Sequence, residues 1–317
     1  MTATIRALAC AYCAAPLHPD GGRSALCAYC GRVLVGLPPT WWARLVAVPP
    51  WEGRADDRGA PRVGLGKHRY ALGAKLADGA RGEVWRARRD ARLSEHVVLR
   101  VARDAQGEAA MRAAHRVIER LRGSGVPGAE HFSRLLPRPV AMGPLRGDAP
   151  APFAAAHLWR EGFVHTLAHV RAKHPRGVEP RVAVWMWKRL LEQLAFVHAS
   201  GFVHGAVRPE HCLVHPRAHG VGLGGWSAAA WRHGPGAAAR PALDLAASAR
   251  VVAHVLGGDP ARLPAAVPPA IAALLARASA PDRAGDEAWA LHDELTRHAA
   301  DALGPPGHSP LALDDEG

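Results

Sequence analysis

The chain holds 317 residues, 49% hydrophobic and 21% charged, a balance that suits a globular protein with a buried core. Formal net charge is +12, and the excess is arginine, because Lys67, Lys75, Lys173 and Lys188 are the only lysines. No run of about 18 apolar residues occurs, which excludes a helical membrane span. The segment Met1–Cys10 is too short and too weakly apolar for a signal peptide, so the expected compartment is the cytoplasm. Ala, Gly, Pro and Arg are enriched together, so the charge is discounted as a sign of nucleic-acid binding without dismissing it.

Four cysteines open the chain. Cys10, Cys13, Cys27 and Cys30 are spaced C-x2-C-x13-C-x2-C, and each pair reads Cys-Ala-Tyr-Cys. Each pair can place two thiolates on one turn, and two such turns give the tetrahedral sulfur set that zinc prefers. The pattern resembles a zinc ribbon over 1–36, with a structural metal; two disulfides or four idle thiols are the alternatives. The fifth cysteine, Cys212, falls on a predicted strand and reads as a small buried hydrophobe. Residues 37–66, with Pro38-Pro39, Pro49-Pro50, Trp41, Trp42 and Trp51, read as a linker. It either straps itself onto the following body or acts as a flexible tether.

From Tyr70 to Ala87 the chain reads as a hairpin whose glycines, Gly79 and Gly82, would let backbone amides come close to a ligand. A third strand, His96–Val101, is followed by an amphipathic helix with Met111, Ala114, Val117, Ile118 and Leu121 on one face. Phe132–Val140 and Phe153–Trp159 are the expected fourth and fifth strands, and Arg160-Glu161-Gly162 a hinge. Pro180–His198 is strongly helical, with an apolar stripe of Trp185, Trp187, Leu190, Leu191, Leu194 and Val197. Then come Val203-His204-Gly205-Ala206-Val207-Arg208-Pro209-Glu210-His211-Cys212-Leu213-Val214, the stretch Val221–Ser227, and a helix over Leu243–Gly257. Two closing helices span Pro268–Ala278 and Ala288–Leu303, before a tail, 304–317, expected to be mobile.

In this order the segments resemble the protein kinase superfamily over roughly Lys67 to Leu303. The resemblance implies an α+β fold of two lobes, a β-rich small lobe with the hinge (67–160) and a helical large lobe (161–303). His204, Arg208, Pro209 and Glu210 keep the frame of the kinase catalytic loop, with Arg208 in place of its lysine. Asp244 keeps the aspartate that holds that loop's backbone. The reactive positions differ. Ala206 stands where a kinase has its catalytic base, His211 where it has a metal-holding Asn, and Gly225 where it has the magnesium-binding Asp, followed by Trp226 for Phe. Between Gly205 and Leu243 the sole acidic residue is Glu210, whereas magnesium requires oxygen ligands.

The nucleotide pocket implied by the family would be formed by Gly79, Gly82, Val84, Arg100 and Leu213. Its first glycine is replaced by Ala77 and its phosphate-pairing Lys by Arg100, whose fork is bulkier than an ammonium. The helix residue that should clamp that lysine falls at Ala114 or His115. The stretch before Pro241 lacks the family's A-P-E signature, which leaves Arg283 without its usual acidic partner. His204, His211, His215 and His219 suggest a second metal site by proximity, but Pro209 and Pro216 argue that they scatter.

The resulting expectation is a catalytically inactive pseudokinase scaffold that binds protein partners in signalling. It carries structural zinc, an open question over ATP and an argument against magnesium. Two rivals stand beside it: a divergent active ATP-dependent transferase, and a nucleic-acid-binding protein using the ribbon and an arginine face.

Overall fold

The computed structural model describes residues 24–26, 33–35, 60–90, 95–146, 152–159, 162–163, 165–232, 241–285 and 287–313. Strands β1 (Ser24–Leu26) and β2 (Val33–Val35) pair antiparallel, with Leu26 opposite Val33. The four cysteines expected to hold zinc, Cys10, Cys13, Cys27 and Cys30, lie outside the described residues, as do Trp41, Trp42, Trp51, Arg160 and Glu161.

The first body is a closed antiparallel barrel. Its strands are β3 (Arg62–Leu65), β4 (His68–Gly79), β5 (Gly82–Arg89), β6 (His96–Ala102), β7 (Pro139–Arg146) and β8 (Phe153–Leu158), in the order β3-β4-β5-β6-β8-β7. β3 bonds both β4 and β7 and so closes the ring. The stretch read as linker therefore ends in a strand, Arg62–Leu65. Alternation sets the faces: Val97 and Leu99 of β6 join Leu65, Tyr70, Ala87, Ala154 and Ala156 in the interior. On the outer face of the same strands, Ala102, Phe153 and Ala155 meet Met111 of helix α1 (Ala105–Arg122).

Asp104 caps α1 by accepting the amide of Gly107 at 2.8 Å. The inner stripe of α1, Ala114, Val117, Ile118 and Leu121, belongs to the core of the helical body, so α1 ties the two bodies together. The expected fourth strand, Phe132–Val140, is a strand only from Pro139 onward. Helix α2 (Ala129–Ser133) starts after Gly128, which lies at φ +82°, and Phe132 stacks on Phe196 at 5.4 Å. The strand begins at Pro139, after Pro137 has removed an amide.

The helical body is built on α4 (Pro180–Ala199), buried along Trp185, Trp187, Leu190, Leu191 and Leu194 and packed between α5 (Pro241–Val255) and α7 (Ala288–Leu303). The Trp187 indole donates to Ser248 Oγ at 3.0 Å, which satisfies a buried N–H inside the stripe. Helices α3 (Leu167–Lys173) and α6 (Pro269–Ala278) complete it. Strand β9 (His165–Thr166) joins β11 (Cys212–His215) and β12 (Gly220–Leu223) in a small sheet, while β10 (Phe202–Val203) pairs with β13 (Ala230–Trp231). Residues 304–313, expected as part of a mobile tail, pack on this body: Leu311 is buried, His174 Nε2 meets the carbonyl of Ala312 at 2.8 Å, and Arg181 donates to the carbonyl of Pro305 at 2.9 Å. No helix among the described residues is long and apolar enough to cross a membrane.

Candidate functional site

The loop that runs from β10 to β11 is held by one carboxylate. Asp244, on the first turn of α5, is 2% exposed. Its Oδ2 accepts the amide of His204 at 2.7 Å and meets His198 Nε2 at 3.0 Å, while Oδ1 accepts the amide of Gly205 at 2.8 Å. Burial alone would raise its pKa. The His198 hydrogen bond, the neighbouring imidazoles and the His204 amide outweigh it and hold the carboxyl below its ordinary range. Asp244 thus fixes the loop backbone as a carboxylate whose acceptor oxygens are occupied.

His204 is fully buried, and its ring fastens the loop to the next strand pair. Nε2 donates to the carbonyl of Gly224 at 2.8 Å, and Nδ1 accepts the amide of Ala206 at 3.3 Å. Burial pushes its pKa down to about 4 against the upward pull of Asp244 and the Gly224 carbonyl, so the ring is neutral at physiological pH. Edge-on to it, at 4.6 Å, sits Trp226, 2% exposed, whose indole donates to the carbonyl of Leu223 at 2.8 Å. The short 3-10 turn Trp226–Ala228 packs against α1, so the loop, this turn and the helix form one stack.

The three positions at which the sequence resemblance expects reactive groups, 206, 211 and 225, lie together. Ala206 offers only a methyl, and its carbonyl meets His211 Nδ1 at 2.8 Å. The His211 ring lies against Gly225, which adopts φ +72°; a Cβ there would stand 2.4 Å from His211 Nδ1. No side chain can be added at 225 without displacing that ring. Pro209 opens the 3-10 turn Pro209–His211, and Arg208 and Glu210 form an exposed pair at 3.5 Å directed to solvent. Asp244 uses its carboxylate oxygens on His204, Gly205 and His198, and among the described residues no carboxylate is hydrogen-bonded to Ala206, His211 or Gly225.

No protein-family model matches the chain, and no curated protein matches it. The chain is similar to the crystal structure of a kinase domain, with 11% identity and a TM-score of 0.47, over 60% of this chain and 64% of that one. The match thus covers less than two thirds of that structure.

The glycines of the β4–β5 hairpin serve packing between strands. Gly79 and Gly82 sit opposite each other across a two-residue turn. A Cβ at Gly82 would lie 2.3 Å from the carbonyl oxygen of Val101, so this glycine admits strand β6 at close range. The turn is fastened to the start of α1: Arg103 N donates to the carbonyl of Arg81 at 3.2 Å, and a Cβ on Gly107 would meet the same oxygen at 2.2 Å. Lys75 bridges Asp78 at 3.2 Å and Glu83 at 2.6 Å, which raises its pKa and lowers that of Glu83. Val84 lies opposite Arg100, and Leu213, half-buried on β11, faces away from the core that holds Cys212 and Val214. Cys212 is fully buried and its thiol pKa is pushed up by burial.

Arg100 lies on the outer face of β6, directly across from Ala155 of β8. Burial lowers its pKa. Of the two helix positions expected to face it, Ala114 points into the helical core, and His115 lines a cavity together with His157. Sequence reasoning missed His157. It sits alone in the apolar run Phe153–Leu158, and its side became defined only through pairing with Val98. The other histidines hold separate places: His215 packs edge-on to Phe163 at 5.4 Å, and His219 stacks on Trp185 at 4.4 Å.

Proposed function

We propose that this chain is a protein-kinase-like module that has lost phosphoryl transfer and works as a binding or regulatory element, a pseudokinase. The observation that carries this reading is the His211 ring seated against Gly225. In this reading the ring takes the space in which a kinase would hold its metal. The one acidic residue between Gly205 and Leu243, Glu210, pairs with Arg208 at the surface. The loop frame survives because Asp244 and His204 still do structural work, whereas nothing holds a base at Ala206.

A structural zinc on Cys10, Cys13, Cys27 and Cys30 is part of the proposal. It is supported by the cysteine spacing and by the hairpin β1–β2, whose connecting residues include the second cysteine pair. In this reading the ribbon docks a protein partner. One mole of zinc per mole of purified chain, released by a thiol reagent, is the expected result.

The deciding experiment is a thermal-shift titration with ATP, with and without magnesium, beside a phosphoryl-transfer assay. The reading expects no transfer and no magnesium-dependent rise in melting temperature, since a ligand bound to the folded state raises it by mass action. A magnesium-dependent rise accompanied by transfer sinks it.

A further inference from the structure

We propose that the end of α3, the first turns of α4 and the β11–β12 turn form an exchangeable peptide groove. In this structure the chain's own segment 305–313 fills it, and an extended partner segment of the same chemistry enters by displacing that segment. The chain turns off α7 at Gly304, φ +78°, a common way for a helix to end. Beyond it the residues alternate. Ser309 and Leu311 are buried and Leu313 packs on the helical core, while Pro310 and Ala312 between them are exposed. That period of two is the mark of an extended chain laid on a surface. The segment nevertheless joins no sheet among the described residues.

It is held by side chains that read its backbone. Arg181 donates to the carbonyl of Leu303 and, at 2.9 Å, to that of Pro305, and His174 Nε2 meets the carbonyl of Ala312 at 2.8 Å. Arg181 and Trp185 lie one turn apart on α4, so one helix face carries both the clamp for the start of the segment and the floor of a ring slot. In that slot His219 stacks on Trp185 at 4.4 Å, and His308 stacks on His219 at 4.1 Å, within 7° of parallel. Three residues on, Leu311 enters the apolar core. Carbonyl clamps accept any extended backbone, so selection rests on a planar side chain for the slot and a leucine for the core. Pro305, Pro306 and Pro310 leave few unbound conformations to lose, which suits a ligand taken up in extended form. Charge completes the template. The sequence continues as Asp314-Asp315-Glu316, and exposed Lys173 and Arg176 flank His174, where Ala312 is held. The partner segment therefore carries a planar side chain, then a proline and a leucine within three residues, then acids. A tethered occupant has an effective concentration on the order of millimolar, which keeps weak ligands out. This is a second partner surface, apart from the ribbon, and it does not rest on the loss of phosphoryl transfer.

The test uses the full chain and a fluorescent peptide of the sequence Gly304–Gly317, followed by anisotropy without ATP or magnesium. Leu311→Asp in the chain weakens the internal occupant and leaves the groove to the peptide. The variant should therefore bind the peptide roughly tenfold or more tighter than the parent does. A peptide carrying Leu311→Asp should not bind, and one with Asp314, Asp315 and Glu316 all changed to Ser should bind about tenfold more weakly at low salt. Hydrogen exchange on the parent gives a readout that does not depend on the variant folding. Amides of Gly307–Leu313 should exchange faster than those of α4, and faster still with excess unlabelled peptide. Equal affinity for parent and variant, or no binding to a folded variant, would overturn the proposal. So would segment amides that exchange as slowly as those of α4 or do not respond to peptide. A parent dimer that the peptide dissociates would assign the groove to a second copy and overturn the reading of a foreign partner. The kinase reading stands or falls on magnesium-dependent ATP binding and transfer, which none of these outcomes touches.

Discussion

At the scale of single residues, the site is defined by two substitutions that fit each other. The His211 ring takes the volume that a side chain at position 225 would need, so position 225 cannot gain a side chain without strain while the ring is there. Gly225→Asp should therefore destabilise the fold by about 1–3 kcal/mol, through the left-handed backbone and the collision with the imidazole. Urea unfolding would measure it, and adding His211→Asn should recover part of the loss. If Gly225→Asp unfolds at the same urea concentration as the parent, the ring does not fill that space. These residues were legible in the sequence because each is identified by its place in an ordered loop: Ala206, His211 and Gly225 needed no geometry to be noticed. His115 and His157 were different. A strand histidine belongs to a site only through which neighbour it faces, and β6–β8 pairing is a long-range fact that a single sequence does not contain.

At the scale of elements, length and period carried the long helices. Pro180–Ala199 and Ala288–Leu303 match the expected helices to within a residue, because their apolar stripes repeat over several turns and proline or a capping position marks the ends. The segment after α1 was misread because Phe132, Leu135 and Leu136 suit a strand equally well by hydropathy, while the local choice was made by Gly128 and by stacking on Phe196. Strand β3 was hidden for the opposite reason: four residues between Pro61 and Gly66, with Gly64 among them, are too few to show alternation. The glycine hairpin gives a prediction at this scale. Gly82→Ala must push the Val101 carbonyl away from 2.3 Å and should cost about 1–3 kcal/mol in thermal or denaturant unfolding, whether or not nucleotide is present. An unperturbed stability would mean that this glycine serves a ligand and not the strand.

At the scale of the whole molecule, the helical body is closed by residues far along the chain. His219, at φ +49° in the β11–β12 turn, is 3% exposed and lies between Trp185 at 4.4 Å and His308 at 4.1 Å, both rings nearly parallel to it. Burial, together with His308 and Arg189, pushes its pKa down to about 3 despite a bond to the backbone of Ser309, and His308 is lowered by burial too. A depressed folded-state pKa means that the neutral ring stabilises fully above the unfolded value, near 6.5, and that this stability drains away as pH falls toward 3. His204 and His157 drain in the same direction, so a variant is needed to isolate the stack. His219→Asn, which tolerates the left-handed turn, should show a shallower loss of melting temperature between pH 6.5 and 4 than the parent, and truncation after Leu303 should do the same. Parallel slopes in all three proteins would remove the stack from the pH response.

The closing strand of the barrel has a further consequence, for assembly. A sheet that ends in a free strand invites a passing extended chain to add itself through backbone bonds, whether a legitimate partner or a misfolded neighbour. With Arg62–Leu65 bonded on both flanks, the barrel has no such seam, and the described strands β9 to β13 run two to four residues. Recognition of this half of the protein by another molecule has to go through side chains and shape, and the same ring shields it from edge-to-edge aggregation.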